Sequence, residues 1–243
     1  MQETIIATYR GLVAFVLMFI SGSIALLIKW LTFGKSVNWG SKYIVAPSSR
    51  LILRIVGVRF SIPKVRDYPS QQVMYTFNHN SFLDVLILTA LAIPNTRFFL
   101  SEKTRKIISL TVSALAIGVY YIPVKNDKKR RADFFKRVTQ ELKNGSGSVF
   151  VSSEGVHSFI NGIAPFNTGV YEMALKAELP IQPVYLDIPK ETNSLEGYRF
   201  KSGTISVELL DLIPTKNWEL STLKNEVEKV RNIFLNEFNK RND

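Results

Sequence analysis

An uncharged stretch near the N-terminus restricts the fold of this chain more than any other feature. From Gly11 to Ile28 no residue is charged, and this is about the shortest length with which a helix spans a bilayer. Lys29, Trp30 and Lys35 follow, where membrane proteins place snorkelling lysines and interfacial tryptophans. The stretch therefore predicts a membrane-inserted helix, either spanning the bilayer or monotopic.

Two other interpretations of the stretch stay open on the sequence alone. A secretory signal peptide has a shorter apolar run and small residues at its cleavage site, whereas Lys29, Trp30 and Leu31 stand there in this chain. A fully buried core helix has the same apolar composition. The charges that follow the stretch are mostly positive, which predicts that the bulk of the chain lies on the cytoplasmic side of the membrane.

Segment 41–57 becomes amphipathic after Pro47. Arg50 and Arg54 flank an apolar face that consists of Leu51, Ile52, Ile55 and Val56. Such a helix either lies in the headgroup layer or forms the first helix of a soluble core, and the pattern allows both. We therefore predict an N-terminal membrane-anchoring helical segment over residues 1–57 and a second domain over residues 58–243.

Strands and helices alternate along this second domain. Apolar runs typical of strands occupy 72–77, 96–100, 120–124, 148–152, 181–186 and 204–210, and helical patterns occupy 81–93, 110–117, 127–143, 168–177 and 217–239. Such alternation is typical of an α/β fold in which helices cover both faces of a largely parallel sheet. The fold class predicted is therefore α/β, with a membrane-inserted helical segment at the N-terminus.

Composition narrows the possible partners and chemistry. The chain has 31 Lys and Arg against 20 Asp and Glu, a net charge of +11, which favours an anionic partner such as a nucleic acid, a membrane surface or a phosphorylated substrate. It has no Cys and two His, so we predict neither a disulfide nor a metal site. Proteins that bind single-stranded nucleic acids stack the bases on aromatic side chains beside their basic residues. The basic run from Lys125 to Arg137 contains only Phe134 and Phe135 as aromatic residues, so we do not predict nucleic-acid binding.

The motif that carries chemistry is Asn78-His79-Asn80-Ser81-Phe82-Leu83-Asp84. His79 follows a predicted strand, and Asp84 falls in the first turn of the next helix, from where its carboxylate can accept the Nδ1 proton of His79. Nε2 would then act as a general base on a hydroxyl of the substrate, because the chain has no Gly-x-Ser-x-Gly nucleophile elbow. Ser81 and Asp84 also have the spacing of a capping box, so a purely structural role for Asp84 remains the alternative.

This motif resembles the His-x4-Asp block of the glycerolipid acyltransferases. Three later segments resemble the other blocks of that family, in the same order: Gly118-Val119-Tyr120-Tyr121-Ile122, then Glu154-Gly155 with Pro165-Phe166 and Gly169, then Leu179-Pro180-Ile181-Gln182-Pro183-Val184. Together they cover about residues 50–190. The chain resembles in particular the bacterial enzymes that acylate 1-acyl-sn-glycerol-3-phosphate.

The resemblance implies a membrane-bound O-acyltransferase of phospholipid biosynthesis. Such an enzyme moves a fatty acyl group from a thioester, acyl-CoA or acyl-carrier protein, to the sn-2 hydroxyl of its lysophospholipid acceptor, 1-acyl-glycerol-3-phosphate, and yields phosphatidic acid. It uses no cofactor, and it is in contact with membrane lipid. By this resemblance His79 and Asp84 are the catalytic residues, and the domain over residues 58–243 is the acyltransferase domain.

The chain departs from the family pattern at two arginines that are thought to hold the acceptor's phosphate. The second block usually ends in Asp-Arg, where Pro123-Val124 stand here and Lys125 follows; the third has an Arg where this chain has His157. We therefore expect Lys125, Glu154, Gly155 and His157 to bind substrate. Lys125 alternatively belongs only to the solvated basic run. Another hydroxylated lipid acceptor, or a catalytically silent membrane-binding relative, remains an alternative function.

Overall fold

The computed structural model describes residues 2–63, 67–79, 81, 83–145, 147–155, 162–189, 192 and 202–242. His157 lies outside the described residues. Within them the helices are α1 (Gln2–Leu31), α2 (Val37–Gly40), α3 (Ala46–Ile55), α4 (Leu83–Ala90), α5 (Ile108–Ile117), α6 (Lys128–Asn144), α7 (Thr168–Lys176) and α8 (Leu223–Asn242). A π-helical turn, Ser41–Val45, joins α2 to α3, and a 3₁₀ turn, Glu102–Lys106, precedes α5.

The strands are β1 (Val58–Ser61), β2 (Met74–Phe77), β3 (Thr96–Ser101), β4 (Tyr120–Ile122), β5 (Ser148–Ser152), β6 (Ile181–Asp187) and β7 (Gly203–Leu209). They form one sheet in the order β1-β7-β6-β2-β5-β3-β4. The five strands from β6 to β4 run parallel, whereas β7 is antiparallel to β6 and parallel to β1. The predicted α/β class with a largely parallel sheet is confirmed.

Side chains that alternate along the central strands build a separate core on each face of the sheet. On β2, Tyr75 and Phe77 join the cluster that also contains residues of α3 and α4. Met74, on the same strand, joins the opposite cluster with residues of α6, α7 and α8. Because helices cover both faces, β2 is buried along its whole length and β5 at all but its last residue, which explains why these strands are largely apolar in sequence.

Helix α3 belongs to the core rather than to a separate surface layer. Ile52 and Leu53 are fully buried, and α3 packs against α4 and α1. Leu51, which the sequence places on the same apolar face, is 48% exposed. The division of the chain at residue 57 stays a prediction.

Helix α1 is, among the described residues, the one helix long and apolar enough to cross a membrane, with a mean hydropathy of 2.5 over Ile5–Leu31. One side of it packs against α5, α3 and the π-helical turn. The other side exposes a row of large apolar side chains, among them Leu12, Phe19 and Leu27. The helix therefore holds the remainder of the fold with one side and presents an apolar surface with the other.

Candidate active site

The parallel strands bring every described segment of the sequence-predicted site to one edge of the sheet. His79 follows the end of β2, Lys125 follows β4, and Glu154 follows β5. Strands β2 and β5 are neighbours, with Phe77 opposite Ser152. Because the carboxyl ends of parallel strands share an edge, residues that are 75 positions apart in sequence meet there.

His79 and Asp84 form the central contact of the site. Nδ1 of His79 lies 2.6 Å from Oδ2 of Asp84, and Asp84 is 1% exposed. An ionised carboxylate has only acceptor oxygens, so the ring donates its Nδ1–H and Nε2 carries the lone pair. The His79 ring also meets the edge of Phe77, at 5.9 Å between ring centroids. The neighbouring residue, Asn78, is fixed to β6, because its side-chain amide donates to the backbone carbonyl of Leu186 and accepts its backbone N–H.

The capping role of Asp84 is also present. The backbone N–H of Ser81 donates to Oδ2 of Asp84 at 3.3 Å, and Oγ of Ser81 accepts from the backbone N–H of Leu83 at 3.1 Å. The same carboxylate oxygen that receives the His79 proton therefore also caps the start of α4. The two interpretations of Asp84 in the sequence do not exclude one another.

Glu154 connects the loop after β2 with the loop before α7 through its carboxylate. One of its carboxylate oxygens accepts the backbone N–H of His79 and the other that of Ala164, both at 3.1 Å. Its own backbone carbonyl accepts from the side-chain amide of Asn167 at 2.7 Å. With 3% of its surface exposed, Glu154 contacts the loops of the protein, and its predicted contact with substrate stays a prediction.

Gly155 has a backbone that other residues adopt only with strain. Its φ is +65°, and a Cβ atom there would overlap the side-chain amide of Asn167. Gly155 thus permits the turn that follows Glu154, whose carboxylate accepts the backbone N–H of His79. Sequence reasoning missed Asn167, for which the polar residue just before the α7 pattern was the available signal.

Burial and nearby charge shift the pKa values of His79 and Glu154. Burial lowers the pKa of His79, but the hydrogen bond and charge of Asp84 and the charge of Glu154 outweigh it, so that the pKa lies above its ordinary value. Burial raises the pKa of Glu154 to about 7, although the N–H groups of His79 and Ala164 oppose the rise. The pKa values of His79 and Glu154 are thus both above their ordinary values.

The site opens into a cavity of about 940 Å³. Its polar lining includes His79, Asp84, Gly155 and Lys125. Its apolar lining comes from α4, α5 and β3, with side chains such as Leu86, Phe98 and Ile117, and from Met18 of α1. The arrangement suits a ligand that carries a reactive polar group at one end and a long apolar chain at the other.

Comparison with known proteins identifies a family and several relatives. The sequence model of one protein family, described as Acyltransferase, matches residues 59–187. The 1-acyl-sn-glycerol-3-phosphate acyltransferase alpha of Bos taurus is 26% identical over 195 residues, which cover 76% of this chain and 64% of that protein. The corresponding protein of Homo sapiens gives 26% identity with 76% and 65% coverage, and the 1-acyl-sn-glycerol-3-phosphate acyltransferase of Saccharomyces cerevisiae gives 24% with 63% and 51%. The match to these relatives thus spans between about half and two thirds of their length.

A solved structure shares the fold. The crystal structure of the 1-acyl-sn-glycerophosphate (LPA) acyltransferase from Thermotoga maritima superposes with a TM-score of 0.76. The alignment covers 97% of each chain at 16% sequence identity. The two chains therefore have the same architecture, including the helices that precede the sheet.

Proposed function

This chain belongs to the acyltransferase family, whose sequence model matches more than half of it, and we propose that it is a membrane-bound 1-acylglycerol-3-phosphate O-acyltransferase. The observation that carries the proposal is the 2.6 Å contact between His79 and Asp84 at the polar end of a largely apolar cavity. The names of the relatives support the acceptor, a lysophosphatidic acid.

In the proposed reaction His79 Nε2 removes the proton of the acceptor's sn-2 hydroxyl, while Asp84 stabilises the imidazolium that forms. The hydroxyl oxygen attacks the carbonyl carbon of the acyl thioester. The tetrahedral intermediate collapses with cleavage of the carbon–sulfur bond, and the leaving thiolate takes the proton back from His79. Glu154 holds the backbone of His79 and acts as a positioning residue.

The apolar arm of the cavity would hold a fatty acyl chain. Membrane association would follow from the exposed apolar side of α1, since lipid substrates and an apolar protein surface both partition into the bilayer. The positive charges that follow the apolar stretch support a catalytic domain on the cytoplasmic side. Acyl-CoA or acyl-carrier protein would serve as donor, and no metal or cofactor enters the proposal.

The test offers radiolabelled acyl-CoA and acyl-carrier protein to the purified full chain in detergent micelles. The acceptors are lysophosphatidic acid, lysophosphatidylcholine and monoacylglycerol, and His79→Ala is the control. We expect labelled phosphatidic acid from the natural sequence and none from the control. No transfer to any acceptor would overturn the proposed activity, and transfer to the other acceptors alone would overturn the acceptor.

A further inference from the structure

Three basic residues line the cavity that contains His79 and have no carboxylate partner among the described residues. They are Lys103, Lys125 and Arg131. Lys103 lies on the 3₁₀ turn after β3, Lys125 follows β4, and Arg131 lies in the first turns of α6. Unpaired cations at the wall of one cavity create a positive potential that favours an anionic ligand.

Arg131 belongs to the basic run of α6 and lines the cavity. Its Nη1 donates to the backbone carbonyl of Pro123 at 2.8 Å, and its guanidinium lies 5.4 Å from the ring centroid of Phe135. These contacts hold a half-buried guanidinium beside Val124, which is the position where the family has its arginine. The fork retains donors that are not engaged by any described residue.

The loop beside Arg131 is fixed from its other side. Glu102 accepts the backbone N–H of Val124 at 2.9 Å and pairs with Arg130 at 2.8 Å. Asp127 caps α6, because its carboxylate accepts the backbone N–H of Arg130 at 3.0 Å, and it also lies 3.5 Å from the Arg130 guanidinium. Glu102 and Asp127 are thus engaged by Arg130, and neither forms an ion pair with Arg131 among the described residues.

On the basis of the proposed function, we propose that Arg131, together with Lys103 and Lys125, binds a phosphomonoester in the cavity. Arg131 would supply from α6 the forked guanidinium that the family's arginine, replaced here by Val124, supplies from the loop. The end of β4 lies three strand positions from that of β2, about 14 Å. Lys103, Lys125 and Arg131 nevertheless line the same cavity as His79.

The phosphomonoester has two possible sources, the headgroup of a lysophosphatidic acid and the 3′-phosphate of coenzyme A. Steady-state kinetics of the full chain in detergent micelles separate them. For the acceptor, lysophosphatidic acid is compared with monoacylglycerol of the same chain; for the donor, acyl-CoA is compared with an acyl-pantetheine thioester that lacks the nucleotide. Arg131→Gln is the test, and Lys129→Gln is the matched control, because Lys129 is exposed on the same helix and lies outside the cavity.

We expect Arg131→Gln to raise KM roughly tenfold to hundredfold for one phosphorylated substrate, the size typical of a lost charged hydrogen bond. KM for the matching substrate without phosphate should stay the same, and Arg131→Lys should restore part of the loss. The substrate that is affected identifies the source of the phosphate. If neither KM moves relative to Lys129→Gln, the proposal is overturned.

A binding measurement separates this proposal from the proposed activity. Glycerol 3-phosphate and adenosine 3′-phosphate are tested for protection of the full chain against thermal unfolding, with glycerol and adenosine as controls. We expect protection by one phosphate that Arg131→Gln removes and Lys129→Gln retains, whether or not the chain transfers acyl groups. Lys125→Gln gives the same test if Arg131→Gln folds poorly, because Lys125 is exposed. Absence of protection from both phosphates in the natural sequence contradicts the site.

Discussion

At the scale of single residues, one carboxylate oxygen of Asp84 both binds the His79 ring and caps α4. Its Oδ2 accepts from the ring of His79 at 2.6 Å and from the backbone N–H of Ser81 at 3.3 Å. The negative charge raises the pKa of the ring against the effect of burial. A substitution at Asp84 should therefore change both the acid–base chemistry of His79 and the stability of the start of α4.

Asp84→Asn keeps an acceptor oxygen but removes the charge. We expect kcat to fall by about 10²- to 10⁴-fold, the usual contribution of a general base. The acid limb of kcat/KM should lie above pH 6.5 in the natural sequence, since the pKa of His79 is raised, and should move to lower pH in the variant. An acid limb at the same pH in both proteins would mean that Asp84 does not control His79.

Glu154 gives a second residue-scale prediction, about stability. Burial raises its pKa from the ordinary 4.5 to about 7 in the folded state. The folded state therefore favours the protonated form. The stabilisation that this provides is fully present below pH 4.5 and is lost as the pH rises through about 7.

Glu154→Gln has no such titration and loses one of two acceptors for backbone N–H groups. We expect the variant to be less stable at low pH, with a difference in unfolding free energy that shrinks by up to about 3 kcal/mol between pH 4.5 and 7. Chemical denaturation of both proteins across this range is the measurement. A difference that stays constant with pH would show that folding does not raise the pKa of Glu154.

At the scale of elements, the contact between α1 and α5 depends on a glycine. A Cβ atom at Gly22 would lie 2.8 Å from the backbone N and 2.9 Å from Cα of Ser113. Oγ of Ser113 donates to the carbonyl of Met18 at 3.0 Å, so the two helices touch at backbone distance. At Gly40, in contrast, an added Cβ would meet Ala25 at an ordinary 3.6 Å.

Two matched substitutions test this contact. Alanine favours a helix by about 1 kcal/mol over glycine, so Gly40→Ala should leave stability unchanged or raise it. Gly22→Ala should instead lower it by about 1–3 kcal/mol, the usual cost of overpacking. Thermal unfolding in detergent and limited proteolysis of α1 measure the effect. Equal behaviour of the two variants would mean that α1 moves freely against α5.

The sequence predicted most elements because their patterns carry a physical period. The run 148–152 matches β5 at both ends, and the helical pattern at 168–177 matches α7 to within one residue. Strand β1 was missed, since its four residues pair only with β7 and form a short edge. The antiparallel direction of β7 depends on tertiary pairing, which no local pattern encodes.

The site was predictable where spacing alone brings residues together. His79 and Asp84 are five positions apart, so a strand followed by a helical turn places them in contact. The resemblance to the acyltransferase family, read from four blocks in order, is confirmed. Arg131 was not found, because the sequence gives no sign of which residue in a basic run faces a cavity.

At the scale of the whole molecule, large apolar side chains are exposed mainly on one side. Most of them lie on α1, α2, the π-helical turn and α5, which pack together. Contiguous exposed apolar side chains of this kind are typical of surfaces that bind membranes or other proteins. Removal of α1 would also uncover the core, because Ala14 is buried in the cluster with α3 and α4. Substitution of exposed residues is therefore a better test of membrane binding than deletion.

Leu12 and Leu27 are 61% and 56% exposed on α1, and Leu220, outside this surface, is 59% exposed. A Lys at the centre of a lipid-facing helix costs about 2.5–3.5 kcal/mol, so Leu12→Lys with Leu27→Lys should release much of the protein from membranes, whereas Leu220→Lys should not. The natural protein should stay bound in high salt, because apolar contact is not screened by ions. Fractionation of membranes with and without salt is the measurement. Natural protein in the soluble fraction without detergent, or equal partition of the double variant and Leu220→Lys, would show that α1 is not the membrane-binding surface.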